Sequence, residues 1–280
     1  MSVGWAVASG IITQRFLALQ DKCMLDAEFQ DLVNDLQENF DVEGDSVADV
    51  VKEINDRLTP LGLRLDHVRL DSGDVIWGLK LTSKEDGQKM RQAALLDHAQ
   101  LEVGKPGNRM LTVEDVKFYK GVCDRFVKDR SALDDKALEE VAESVLGAGD
   151  ARKYTKKEHV CCGHTYSDMD FALDTLKKNG WLVPADLDAS GRFDHFLPGP
   201  RTYLEIFSDD DSVSDCPLCE QKTVIGGESC PNGQCPQWFH TQCIQEYFQQ
   251  YPDRSCPSCR VKWPEEGGGR HGDDDDMMGS

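Results

Sequence analysis

The apolar positions of this chain keep a helical period through two separate stretches, and in both the period then shifts to that of a strand. In the first, Phe29, Leu32, Val33 and Leu36 recur at i, i+3, i+4 and i+7, the spacing that lines one face of an amphipathic helix. Val47, Val50, Val51 and Ile54 repeat it behind the capping candidates Asp45 and Ser46. A further helix is expected around residues 12–20. Leu63 and Leu65, then Val75, Trp77, Leu79 and Leu81, alternate at period two around the turn DSGD at 71–74, which predicts a β-hairpin. In the second stretch Val116, Tyr119, Cys123 and Phe126 share a helical face that starts near Thr112. Leu138, Val141, Ala142 and Val145 predict a second helix, and Met169, Leu173 and Leu176 a third, stopped by Gly180. Trp181, Leu182 and Val183 then form a short strand, DASGR a turn, and RFDHFL the return.

Helices followed by a hairpin is the layout of a winged helix, and it occurs twice without obvious sequence identity. The expected fold is α+β, with one winged-helix domain over 1–102 and another over 110–207. The loop VGKPGNR, residues 103–109, separates them. SDDDSVSD at 208–215 is acidic and poor in apolar residues, so it reads as a linker. A cysteine-rich module over 216–264 follows, and GGGRHGDDDDMMGS reads as part of a flexible acidic tail, residues 265–280.

A chain of 280 residues can hold two or three domains, each large enough for a core. The formal charge of −20 narrows the partners, because nucleic-acid binding needs a basic face to displace counterions. The one basic cluster, Arg152, Lys153, Lys156 and Lys157, reads as a solvated face. Winged helices that bind DNA often do so through their third helix. Here that segment is the acidic DSVADVVKEINDRL in the first block. In the second, Lys177 and Lys178 stand against Asp168, Asp170 and Asp174. Protein docking is therefore expected, with little direct DNA binding by the chain alone. No stretch reaches the roughly 18 apolar residues of a membrane span.

Cysteine usage carries the chemistry. Seven of the 11 cysteines fall after residue 215 and, with His240, form the pattern C-x2-C-x10-C-x4-C-x4-H-x2-C-x12-C-x2-C. Zinc takes four thiolate or imidazole ligands tetrahedrally, and the x2 spacing lets two side chains of one tight turn reach one ion. Eight ligands divide into two sites of four. A disulfide-stapled extracellular module would call for an even cysteine count and a secretory signal. The count is odd, and MSVGWAVASGIITQRF lacks a basic n-region, so a reducing compartment is expected. EHVCCGHTY, residues 158–166, holds His159, Cys161, Cys162 and His164. Adjacent cysteines cannot easily face one ion, so these read as core or turn residues.

Three zinc classes share this style of ligand order. A plant-homeodomain finger usually carries an aromatic two residues before the seventh ligand, where this chain has Arg254. A nucleic-acid finger would want basic residues between its ligands, and this module is acidic. The RING class fits better. Leu218 stands where RING domains place the apolar residue that touches a ubiquitin-conjugating enzyme, and Ile244 and Tyr247 lie roughly where the central groove residue sits. Pro257 is inside the last knuckle, and Arg260 follows the last ligand, where many RING ligases keep an arginine that bridges to ubiquitin.

The tail CPLC…ESCPNGQCPQWFHTQCIQEYF…CPSCRVKWPEE closely resembles the family of non-structural maintenance of chromosomes element 1, with NGWLV and GPRTYLEIF matching in style further upstream. The resemblance spans about residues 10 to 266. It implies tandem winged helices and a small cross-braced variant RING with two structural zinc ions. The first would be held by Cys216, Cys219, His240 and Cys243, the second by Cys230, Cys235, Cys256 and Cys259. It also implies a nuclear subunit of the SMC-five/SMC-six complex, acting in DNA repair by homologous recombination beside a melanoma-antigen-like (MAGE) subunit and a kleisin. The activity implied is that of a RING-type ubiquitin ligase working with a conjugating enzyme; the rival reading is a structural adaptor. The module departs from ordinary RINGs at Cys235 and in the x4 spacings around it. No catalytic constellation of its own stands out, and closed four-ligand sites leave zinc no open position for chemistry. Any ligase role would be one of positioning.

Overall fold

The computed structural model describes residues 3–19, 22–40, 42, 44, 46–82, 111–154, 159–161, 164–166, 168–185 and 195–264. The 103–109 loop, the DASGR turn, Asp45 and the acidic tail lie outside the described residues, as do the side chains of the basic cluster and of the 158–166 segment.

The first block runs α1 (Val3–Ala18), β1 (Cys23–Leu25), α2 (Asp26–Phe40), α3 (Val47–Leu58), β2 (Leu63–Arg69) and β3 (Val75–Leu81). Its strands form an antiparallel sheet in the order β1-β3-β2. The second block repeats this plan with α4 (Val113–Asp129), β4 (Leu133–Asp134), α5 (Asp135–Tyr154), α6 (Asp168–Lys178), β7 (Leu182–Pro184) and β8 (His195–Pro198), its sheet ordered β4-β8-β7. The fold is α+β: tandem winged helices followed by a cross-braced metal module. The second block also inserts a hairpin of β5 (His159–Cys161) and β6 (His164–Tyr166) before α6. Among the described residues no helix is long and apolar enough to cross a membrane.

Local chemistry accounts for the helix starts. Ser46 caps α3 by accepting from the Asp49 N–H. Thr112 and Asp115 make a reciprocal capping box at the start of α4, satisfying donors that a first turn otherwise leaves free.

The first sheet is buried on both faces. Strand residues alternate sides. Met24, Leu65 and Trp77 join a core with Phe16, Phe29 and Ile54 from the helices, whereas Cys23, Val68 and Ile76 join the core of the second block. Helix α7 (Pro200–Glu205) presses on this outer face, and a Cβ at Gly78 would stand 2.3 Å from Leu204, so the strand needs a glycine there. Lys80 adds a polar link, pairing with Asp66 at 3.0 Å and Asp209 at 3.1 Å.

The NGWLV and GPRTYLEIF stretches meet in the second block. The Trp181 carbonyl accepts the Tyr119 and Thr202 hydroxyls and the Gly199 N–H, while the Arg201 guanidinium lies 4.1 Å over the Trp181 ring and pairs with Glu205. The acidic segment 208–215, expected as a linker, packs in part against the second block. It opens in a 3-10 turn at Phe207–Asp209, and Val213 is buried in the second block's core.

Candidate metal centre

The C-terminal module is built on two copies of one turn. In CPLCEQK and CPSCRVK the first cysteine N–H donates to the carbonyl five residues on, Gln221 or Val261, at 2.8 Å in both. Its own carbonyl accepts from the residue after the second cysteine, Glu220 at 2.8 Å or Arg260 at 2.9 Å. Those two residues take left-handed backbone angles, φ 59° and 64°, which aim both thiols of a knuckle to the same side. Between the knuckles, β9 (Glu228–Ser229) pairs with β10 (Trp238–Phe239), and α8 (Thr241–Gln250) follows directly.

The knuckles complete their ligand sets from these central elements. Cys216, Cys219, His240 and Cys243 bring four ligand atoms together, and so do Cys230, Cys235, Cys256 and Cys259; within each set the atoms lie within 4.8 Å of one another. At the first, His240 Nδ1 faces Cys219 Sγ at 3.3 Å and Cys243 Sγ at 3.8 Å. At the second, Cys230 and Cys259 Sγ stand 3.5 Å apart. A disulfide needs about 2.05 Å. A zinc tetrahedron with thiolate bonds of about 2.3 Å has edges of about 3.7 Å, which these spacings fit. The donors are thiolate and imidazole and the sets are closed. They hold two structural zinc ions, with knuckle one paired to the α8 start and knuckle two to the central loop, which is a cross-brace. The opening of α8 explains His240: it stands at the N-cap, one turn before Cys243, so the helix start presents both to one ion.

Electrostatics at the first centre involve more than its ligands. His240 Nε2–H donates to the Lys222 carbonyl at 3.0 Å, which fixes the tautomer that leaves Nδ1 for the metal. Asp71 Oδ1, from the first block's hairpin turn, stands 3.6 Å from the same Nε2. Burial pushes the Asp71 carboxyl up, and hydrogen bonds from Tyr203 and the Ile225 N–H oppose it. Sequence reasoning missed Asp71 as a site residue, reading DSGD only as a turn. It also missed Arg130, which donates to the Thr223 carbonyl and Ser214 Oγ, both at 3.0 Å, and lies 4.2 Å over the Trp238 ring.

The positions that the RING class singles out divide by exposure. Leu218, Tyr247 and Pro257 are half-buried and Arg260 is exposed. Ile244 is a correction: it is fully buried in the module's core with Phe239 and Trp263, and offers no surface to a partner. The reason is helical phase. Ile244 adjoins Cys243, and the face that turns Cys243 to the metal turns Ile244 inward. Arg254, where a plant-homeodomain finger usually has an aromatic, stacks its guanidinium 5.0 Å over Phe248.

Residues 216–259 match the family described as a RING-like domain. No curated protein matches the chain in sequence. A chain of the solved structure "Nse1-Nse3-Nse4 complex" superposes with a TM-score of 0.61 at 16% identity, covering 92% of this chain and 97% of that one. The module is thus RING-like, and it sits at the end of a fold shared along nearly its whole length with a chain from the Nse1-Nse3-Nse4 complex.

Proposed function

We propose that this chain is the Nse1-type subunit of an SMC-five/SMC-six chromosome-maintenance complex, acting as a RING-type ubiquitin ligase subunit. The observation that carries this is the pairing of a RING-like domain with a fold that matches a chain of the Nse1-Nse3-Nse4 complex over 92% of the chain. By the same likeness its partners are a MAGE-family subunit and a kleisin, its place is the nucleus, and its process is DNA repair by homologous recombination. The winged helices dock protein rather than read DNA. Their acidic third helices support this, and so does the first wing, whose turn at Asp71 is taken up against the metal module.

The ligase role is one of positioning. A conjugating enzyme carries ubiquitin as a thioester; a substrate amine attacks its carbonyl, and the enzyme's thiol leaves. Holding the thioester in one orientation removes rotational freedom before the bond forms. Leu218, Tyr247 and Pro257 supply apolar contact, and Arg260 supplies planar donors for carbonyl oxygens. The closed zinc sites keep these residues in place.

The adaptor reading also has an observation behind it: the metal module is bonded to both winged helices through Asp71 and Arg130, a structural task that needs no ubiquitin. A transfer assay with the intact chain and its MAGE partner separates the two. Leu218→Ala and Arg260→Ala should each slow transfer with zinc content unchanged. No transfer by the intact pair across a broad panel of conjugating enzymes leaves the adaptor.

A further inference from the structure

The hairpin turn of the first winged helix closes through Leu70 N–H to the Asp74 carbonyl at 2.8 Å and Gly73 N–H to the Leu70 carbonyl at 2.9 Å. In many winged helices this tip is free. Here it is seated on the metal module. A Cβ at Gly73 would lie 1.9 Å from Gln242 Oε1 in the first turn of α8, so the backbone of the tip lies against a side chain of the helix that carries Cys243. Gly73 also has φ +95°, a backbone conformation that favours glycine.

Asp71 gathers three parts of the molecule on one carboxylate. Oδ2 accepts the Ile225 N–H at 2.7 Å and the Tyr203 hydroxyl, while Oδ1 takes the Val224 N–H at 3.4 Å and faces His240 Nε2 at 3.6 Å. Its side chain is only 14% exposed. From the same hairpin, the positive charge of the Arg69 guanidinium acts on Cys243, and its Nε is buried with no hydrogen-bond partner. A Cys3His zinc site carries a net negative charge. The hairpin thus lends a cation to the thiolate side and an anion to the imidazole side.

We infer that this turn is an outer support of the first zinc centre, with Asp71 as a positioning residue, so that zinc retention there and seating of the module on the winged helices are one coupled event. Outer groups behind a ligating histidine orient the ring and raise its basicity, and their loss typically costs 10–100-fold in metal affinity. Here the Lys222 carbonyl takes the Nε2–H at 3.0 Å, and Asp71 acts on the same edge of the ring through its charge from 3.6 Å. This carboxylate comes from another domain. Coupling between two binding events is reciprocal: if the turn holds the zinc, the zinc holds the turn.

The test uses the full-length chain loaded with two zinc ions, challenged with a chromogenic chelator in the presence of an alkylating reagent. Mass mapping then reports which cysteines lose metal first. In Asp71→Ala, Cys216, Cys219 and Cys243 should become alkylated roughly 10- to 100-fold faster than in the unaltered chain. Cys230, Cys235, Cys256 and Cys259 should keep their rate. Tyr203→Phe, which removes one bond to the carboxylate and keeps the ring, should shift the first set in the same direction by less, and serves if the alanine variant fails to fold. Stripping zinc from the unaltered chain should raise amide exchange at residues 70–74 while α1 to α3 stay protected. Equal acceleration of both sets, no acceleration of the first, or an unmoved turn on zinc removal overturns the inference.

Discussion

At the first zinc centre the winged helices bring Asp71, held by Tyr203, to 3.6 Å from the ligand His240; at the second, the ligand N–H groups bond within the module. Cys230 N–H donates to the Gln237 carbonyl at 3.0 Å, Cys235 N–H to Asn232 at 2.8 Å, and Cys256 N–H to Val261 at 2.8 Å. Ligand burial is similar, with two or three of four ligands buried at each. What differs is ownership. The second centre is a staple for a module too small to rely on its core, and the first also fastens that module to the rest of the chain. A structural metal can therefore stabilise an arrangement of domains as well as a domain.

The largest effects should come from removing a ligand. Zinc in small structural sites is worth about 10–16 kcal/mol, comparable to the whole stability of a domain. Cys216→Ser should leave at most one zinc per chain by native mass spectrometry, and residues 216–264 and the 70–74 turn should lose amide protection while the helices of both winged-helix domains keep theirs. Cys256→Ser removes as much metal but spares the first centre's outside contacts. The Val224 and Ile225 amides, bonded to Asp71, should then stay protected; their loss would erase the distinction between the centres.

Arg130→Ala probes the fastening without touching a ligand. It deletes two charged hydrogen bonds and a stacked cation over Trp238, and should lower stability in urea by about 2 kcal/mol. Zinc at the second centre should be unaffected, and a loss there would mean the two centres share support. The smallest effect concerns a thiol outside the metal sites. Burial pushes Cys123 up to about 12, so it stays protonated in the folded chain. Alkylation at pH 8 should be negligible until unfolding. The sign follows from linkage: the folded state keeps a proton that the unfolded state loses above about pH 9, so this group's contribution to stability falls as pH rises further.

The ligand set was legible because metal binding imposes spacing on the chain itself: x2 is what one turn can span. The winged-helix plan was legible in its long amphipathic helices and in the hairpin. The short strands β1 and β4, of three and two residues, were not, since so few positions carry no period. Ile76 shows a subtler limit. Alternation assigns one buried face to β3, and nothing local says that a second block will cover the other. Val213 was likewise hidden among acids. Asp71 and Arg130 bond to residues 154 and 93 positions away, and such pairings leave no mark in either segment alone.

The left-handed residues Glu220 and Arg260 are features of the knuckles, but the Asp71 cluster says something about order in time. Its partners Tyr203, Val224 and Ile225 lie 132, 153 and 154 residues downstream. Domains generally fold as units, the N-terminal first during synthesis. The first winged helix therefore emerges with an open carboxylate at its wing, and the second arrives to supply Tyr203. The metal module, made after both, finds its berth already prepared. A ribosome-bound chain cut short before residue 216 would display that empty berth, so docking of the module marks the moment at which all three domains have been made.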